Sequence, residues 1–237
     1  MPSPWPRRLV IFGLLWGLLA LIAAAISEPT PKNLTYLFAI PSAGLYTFAL
    51  YLARRFWLPW LSRHPVRNAT LLGIINAAVI ETEFLGFQVL FGAEGVAAHP
   101  NLLMDLLITM PWYVGMVAIF VYVQNRQRFG PAYILLLGAV YETGADGVVS
   151  QVAGLVFGGS RLLDPGYWVL LAALAFWQFI PVYSSMVLPP AWVIDQLPSP
   201  PKPPIPAWRD ALRPLLWLIP FAVYVIALLF LLAMAGG

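Results

Sequence analysis

The chain contains no cysteine, which excludes disulfides, zinc–thiolate sites and thiol catalysis. Histidine is nearly as scarce. His64 and His99 both lie in short connections, so neither can serve a catalytic triad or a metal inside the apolar stretches. Charge is scarce as well: 10% of the 237 residues are charged and 61% are hydrophobic, where an average soluble domain carries about 25% charged residues. The net excess is only +3, with a pI of 9.3, and the basic residues sit in short loops. That pattern sets topology and gives no basis for nucleic-acid binding. No aspartate-rich pair suits a prenyl-diphosphate magnesium site, and no lysine in the last apolar stretch could carry retinal.

What the chain does have is long apolar runs. A helix rises about 1.5 Å per residue, so about 20 apolar residues cross a hydrocarbon core about 30 Å thick. Seven stretches qualify: residues 9–27, 34–56, 69–92, 102–124, 131–158, 166–189 and 211–235. The expected fold is therefore an all-α integral membrane bundle of seven transmembrane helices, a single domain over 1–237. Residues 190–210, rich in proline, read as a semi-rigid extended linker. The first stretch follows Arg7-Arg8 and ends near Ala23-Ala24-Ala25, a signal-like pattern. Its full length and the six spans behind it favour a retained first helix.

Orientation follows from the basic residues. With the N-terminus inside, Arg7, Arg8, Arg54, Arg55, Arg63, Arg67, Arg126, Arg128, Lys202, Arg209 and Arg213 are cytoplasmic; only Lys32 and Arg161 are outside. The expected topology is N-in and C-out. Short loops and this clean bias point to a prokaryotic plasma (inner) membrane.

Five acids fall inside the apolar stretches: Glu81, Glu83, Asp105, Glu142 and Asp146. No lysine, arginine or histidine accompanies them at that depth. Intramembrane acids are expensive, so they face a bundle interior or a wet cavity and mark function. Any one of them can also be structural glue between helices; all five together are poorly explained that way. Glu142 and Asp146 are four residues apart and point the same way. Glu83 is about 200° around its helix from Glu81 and faces a different neighbour, whereas Gln88 shares the Glu81 stripe. Glu81 and Glu142 fall at nearly equal depth, with Trp177 and Gln178 near that level. Asn76, Tyr141, Gln151 and Tyr183 add polar atoms. Crowded carboxyls without bases cannot all stay ionised, which leaves neutral acids able to donate a proton. An ionised neighbour and an aromatic face would suit a cation.

From the third span onward the chain resembles the emopamil-binding protein family, which includes sterol Δ8–Δ7 isomerase. Val79-Ile80-Glu81 is similar to that family's Val-Ile-Glu, and Met104-Asp105 to its Met-Glu. Phe176-Trp177-Gln178-Phe179-Ile180-Pro181 is similar to its Leu-Trp-x-x-Leu-Pro segment, and Gly138-Ala139-Val140-Tyr141 to its Gly-x-x-Tyr. The family histidine one turn before the first acid is replaced by Ala77, beside Asn76. The resemblance implies a five-helix core over about 34–189, with the first and last helices as additions. It also implies Glu81 and Asp105 as acid and base, and Trp177 against a bound amine or sterol.

The sequence thus leads to a membrane isomerase or cyclase that protonates a sterol-like or isoprenoid lipid and stabilises the carbocation. Glu81, Asp105, Glu142 and Asp146 are the candidate catalytic groups. Trp177, Gln178, Glu83, Gln88, Asn76, Tyr141 and Tyr183 are the candidate substrate contacts. No metal or cofactor is called for; the partners are a lipophilic substrate and membrane lipids. Two alternatives stand beside it. One is a proton- or cation-coupled transporter, for which the short chain would suit a homodimer. The other is a non-catalytic lipid or amine binder.

Overall fold

Proline begins four of the long helices, at Pro31, Pro65, Pro131 and Pro165. Its fixed φ suits the first turn, where its missing N–H would have no partner anyway. Thr30, Asn101 and Asp164 cap helix starts with side-chain oxygens. Gly92 closes one helix in the left-handed conformation that glycine adopts without penalty.

The computed structural model describes residues 5–157, 161, 163–198, 201 and 207–235. Seven helices are long and apolar enough to cross a membrane: α1 (Trp5–Ser27), α2 (Pro31–Leu61), α3 (Pro65–Phe91), α4 (Leu102–Gln127), α5 (Pro131–Val149), α6 (Pro165–Ile194) and α7 (Ala207–Leu231). The described residues contain no strand, and the chain is an all-α multi-pass membrane protein.

The half of α6 from Phe176 to Ile194 is the axis of the bundle, in contact with α1, α2, α3, α4 and α5. Gly73 of α3 permits a close approach, where a Cβ would stand 2.6 Å from Val117 Cγ1 and 2.9 Å from the Met186 carbonyl oxygen. Small residues allow this because lipid supplies no hydrophobic drive between helices, so close packing must hold them.

Two prolines inside these helices free carbonyls that neighbouring helices then satisfy. Pro189 leaves the Ser185 carbonyl without its usual N–H, and Asn76 Nδ2 donates to that oxygen at 2.6 Å. Pro111 does the same to Leu107, whose oxygen accepts from the Tyr224 hydroxyl at 2.7 Å. Such re-satisfaction is what makes proline tolerable where no water is available. It also corrects one boundary. The expected linker from residue 190 begins later, because α6 runs through Pro189 and Pro190 to Ile194. Residues 199, 200 and 202–206 of that segment lie outside the described residues.

The last helix is fastened at both depths. Asp210, fully buried, pairs with Arg213 at 2.9 Å and accepts from Gln127 Nε2 at 2.5 Å. Deeper in, Trp217 lies over Gly115 and donates to the Pro111 carbonyl at 2.8 Å.

Two π-helical stretches, Thr143–Val149 in α5 and Leu171–Ala175 in α6, touch one another. The wider π turn needs outside support, and it has some. Tyr167 donates to the Gly147 oxygen at 2.7 Å, and Trp16 Nε1 to the Ala173 oxygen at 2.6 Å. The π stretch of α6 contacts α1 and the π stretch of α5, and the bundle opens into a cavity at that end. π-bulges are frequent at functional sites.

Candidate functional site

The opening is a cavity of about 800 Å³, within the range of ligand-binding pockets. It lies in the half of the bundle away from the arginine-rich end. At its mouth are Lys32, the backbone of Gly95–Ala98 between α3 and α4, Gln151 and Tyr167. Its walls are Ile40, Ile80, Phe84, Leu171, Leu174, Phe179 and Val182. Leu170 lines it too and is 58% exposed on the outer face of α6.

Three acids face this apolar space: Glu81 from α3, and Glu142 and Asp146 from α5. They form two carboxyl groupings. Glu81 accepts a hydrogen bond from the Tyr113 hydroxyl and lies against the carboxyl of Asp105. Asp105 is fully buried behind Glu81, and its Oδ1 accepts from His99 N at 3.1 Å. On α5, Glu142 and Asp146 lie together, and Glu142 bonds the Tyr183 hydroxyl. That hydroxyl accepts from Trp112 Nε1 at 2.7 Å. The Tyr113 and Tyr183 rings touch, with centroids 5.9 Å apart, and join the two groupings behind the wall.

Each grouping contains one buried oxygen that no hydrogen donor reaches, Asp105 Oδ2 and Glu142 Oε2. A carboxylate oxygen in this position bears the full penalty of desolvation. A proton shared between the two carboxyls of a grouping would supply the missing donor.

Sequence reasoning brought Glu81, Asp105, Glu142, Asp146 and Gln178 to this region, and the structure gathers them. Gln178 lines the cavity, and Tyr183 sits one hydrogen bond behind it. The others have different partners. Trp177 lies outside the cavity, packed over Gly13 and edge-on to Phe12 of α1 at 5.8 Å. One helical step of about 100° separates it from Gln178 and turns it to another neighbour. Asn76 braces α6, and the Tyr141 hydroxyl donates to the Ala211 carbonyl at 2.7 Å, which holds the last helix. Glu83 turns to Ser42 of α2. Gln88 Oε1 accepts from Val96 N at 2.9 Å and Ala97 N at 2.8 Å, which ties the mouth loop to α3.

Tyr113, Tyr36 and Lys32 were missed. Tyr113 follows Asp105 by eight residues with Thr109 between, a single stripe of α4 that the 3.6-residue period reveals once Asp105 is taken as inward. Lys32, Tyr36 and Ile40 form the same kind of stripe on α2.

No family model matches the chain, nor does any curated protein or solved structure.

Proposed function

We propose that the protein is a membrane isomerase or cyclase acting on a sterol-like or isoprenoid lipid through carboxylic-acid protonation. The observation that carries this reading is the pair of carboxyl groupings that line one cavity together with apolar and aromatic side chains. Glu81, holding the proton it shares with Asp105, gives that proton to a carbon–carbon double bond of the substrate. The carbocation forms among the faces of Tyr36, Phe84 and Phe179, where a π-face attracts positive charge. The Glu142–Asp146 grouping takes a proton from an adjacent carbon, and a double bond forms there. Atoms and charge balance, and the net change is an isomerisation. Attack by a second double bond before proton loss makes the same sequence a cyclisation. The proton returns to Glu81 through the cavity mouth. A lipid enters laterally past Leu170. Asp105, out of reach of a ligand, positions the acid. We place the arginine-rich end in the cytoplasm of a prokaryotic plasma membrane, on the charge bias alone.

The test lets the protein select its own substrate. Purified protein is incubated with a membrane lipid extract in heavy water, and lipids that gain deuterium are identified by mass spectrometry. Carbon protonation labels an isoprenoid or sterol-like lipid with the wild type. Glu81→Gln should lower the label by about a hundredfold or more, the scale of general acid catalysis. Equal labelling by the variant sinks the assignment.

The mouth at Lys32 and the Gly95–Ala98 loop favours a second reading, proton- or cation-coupled transport with the same acids as the coupling site. Proton flux in liposomes, absent in Glu81→Gln, would decide for it if no lipid is labelled.

A further inference from the structure

The ten acids of the chain are unevenly shared between the two ends of the bundle. Five lie within the spans, and Glu28, Glu94 and Asp164 lie at the cavity end. Only Asp195 and Asp210 lie at the other end, and arginines already hold both. Asp210 pairs with Arg213 at 2.9 Å and Arg126 at 3.9 Å; Asp195 pairs with Arg128 at 3.7 Å. Arg54 and Arg55 of α2 have no acid among the described residues. Their counter-charge must come from outside the chain.

They also line a formed groove. A recess of about 620 Å³ runs along the end of α2, lined by Leu52, Leu58 and Pro59 beside the two arginines, with Ser62 and Gln196 at the end of the helix. The arginines are supported. Arg54 lies 3.7 Å over the Tyr51 ring and donates to the Tyr51 carbonyl at 3.1 Å, and Arg55 lies 4.6 Å over Phe56. Tyr51 in turn rests on Trp192 at 5.6 Å. The depth fits a lipid. α2 has 31 residues and is about 46 Å long, so its last turns leave a hydrocarbon core about 30 Å thick. Trp57 and Trp60 lie in the same last turns of α2, at the level where indoles sit in the headgroup layer. Apolar side chains, two guanidiniums and neutral polar groups therefore line one recess at the boundary of the hydrocarbon core.

We propose that the groove at Arg54 and Arg55 binds the phosphodiester headgroup of an anionic phospholipid, separately from the carboxyl-lined cavity. Arginine suits this role because its planar fork meets phosphate oxygens two at a time.

The test uses the full chain in neutral detergent. Phosphatidylglycerol, phosphatidylcholine or inorganic phosphate is added, and retained lipid is counted by native mass spectrometry. The thermal midpoint is followed in parallel. Phosphatidylglycerol should be retained and raise the midpoint, while phosphatidylcholine and inorganic phosphate should not. Arg54→Gln/Arg55→Gln should weaken phosphatidylglycerol binding about tenfold or more, since one cation near an anionic surface contributes roughly fivefold. Arg63→Gln/Arg67→Gln removes equal charge at the same end, outside the groove, and should leave binding within about twofold. Equal loss in both variants would reduce the effect to surface charge and overturn the site. So would a midpoint shift with inorganic phosphate alone, or no preference for phosphatidylglycerol. Lipid-free midpoints verify that both variants fold.

Discussion

Asp105 lies against the carboxyl of Glu81, and its buried Oδ2 has no hydrogen-bond partner among the described residues. Its other oxygen holds the backbone of His99 at the cavity mouth. One side chain therefore serves both the acid and the loop, and the two roles can be separated.

Asp105→Asn separates them. The amide oxygen still accepts from His99 N, while Nδ2 gives Glu81 the donor that the aspartate lacks. Thermal unfolding should show stability unchanged or raised by about 1 kcal/mol. Deuterium incorporation should fall about tenfold or more, because Glu81 is then held as a carboxylate and loses its shared proton. A variant that is less stable yet fully active would refute the pairing.

Gln88→Leu removes the acceptor for Val96 N and Ala97 N. Each lost bond is worth about 1 kcal/mol, so hydrogen exchange at those two amides should accelerate about fivefold or more. Exchange in the middle of α3 should stay as in the wild type. Gln88→Glu keeps the acceptor and should keep the protection.

Trp177→Phe discriminates the family resemblance from the geometry. The indole packs against Gly13 and Phe12 rather than facing the cavity. The expected result is a loss of about 1–3 kcal/mol in stability from the smaller ring, with lipid labelling per folded molecule retained. A hundredfold loss of labelling in a stable variant would place the indole at the substrate after all.

Gly73→Ala tests the close approach of α3 to the axis of the bundle. The new methyl would stand 2.9 Å from the Met186 backbone oxygen, which cannot swing aside as a side chain can. Overpacking of this kind costs about 1–3 kcal/mol, to be read as a lower midpoint in detergent. The same change at Gly86, where nothing lies within 4 Å of an added Cβ, should be neutral or slightly stabilising.

Seven spans were legible because bilayer thickness fixes helix length, and an apolar run of sufficient length has few other fates. Glu81, Glu142 and Asp146 were legible for a related reason: a carboxyl at that depth must face inward. The i, i+4 spacing of Glu142 and Asp146 carried their pairing across the π turn. Contacts between distant segments were not legible. Composition cannot say that Asn76 and Tyr224 answer the carbonyls freed by Pro189 and Pro111, nor that Gln88 is spent on the mouth loop. The expected linker at residue 190 failed for the same reason, since a proline ends a helix only where nothing replaces the lost bond. Trp177 sat at the right depth yet faces α1, because depth follows from sequence counting while azimuth depends on which helix packs beside it. The sequence by itself determined the spans and the depth of each acid, through the fixed rise of a helix in a solvent of fixed thickness. The tertiary structure alone decided which acids of different helices meet, as Glu81 and Asp105 do, because that depends on how seven cylinders pack around the axis of α6.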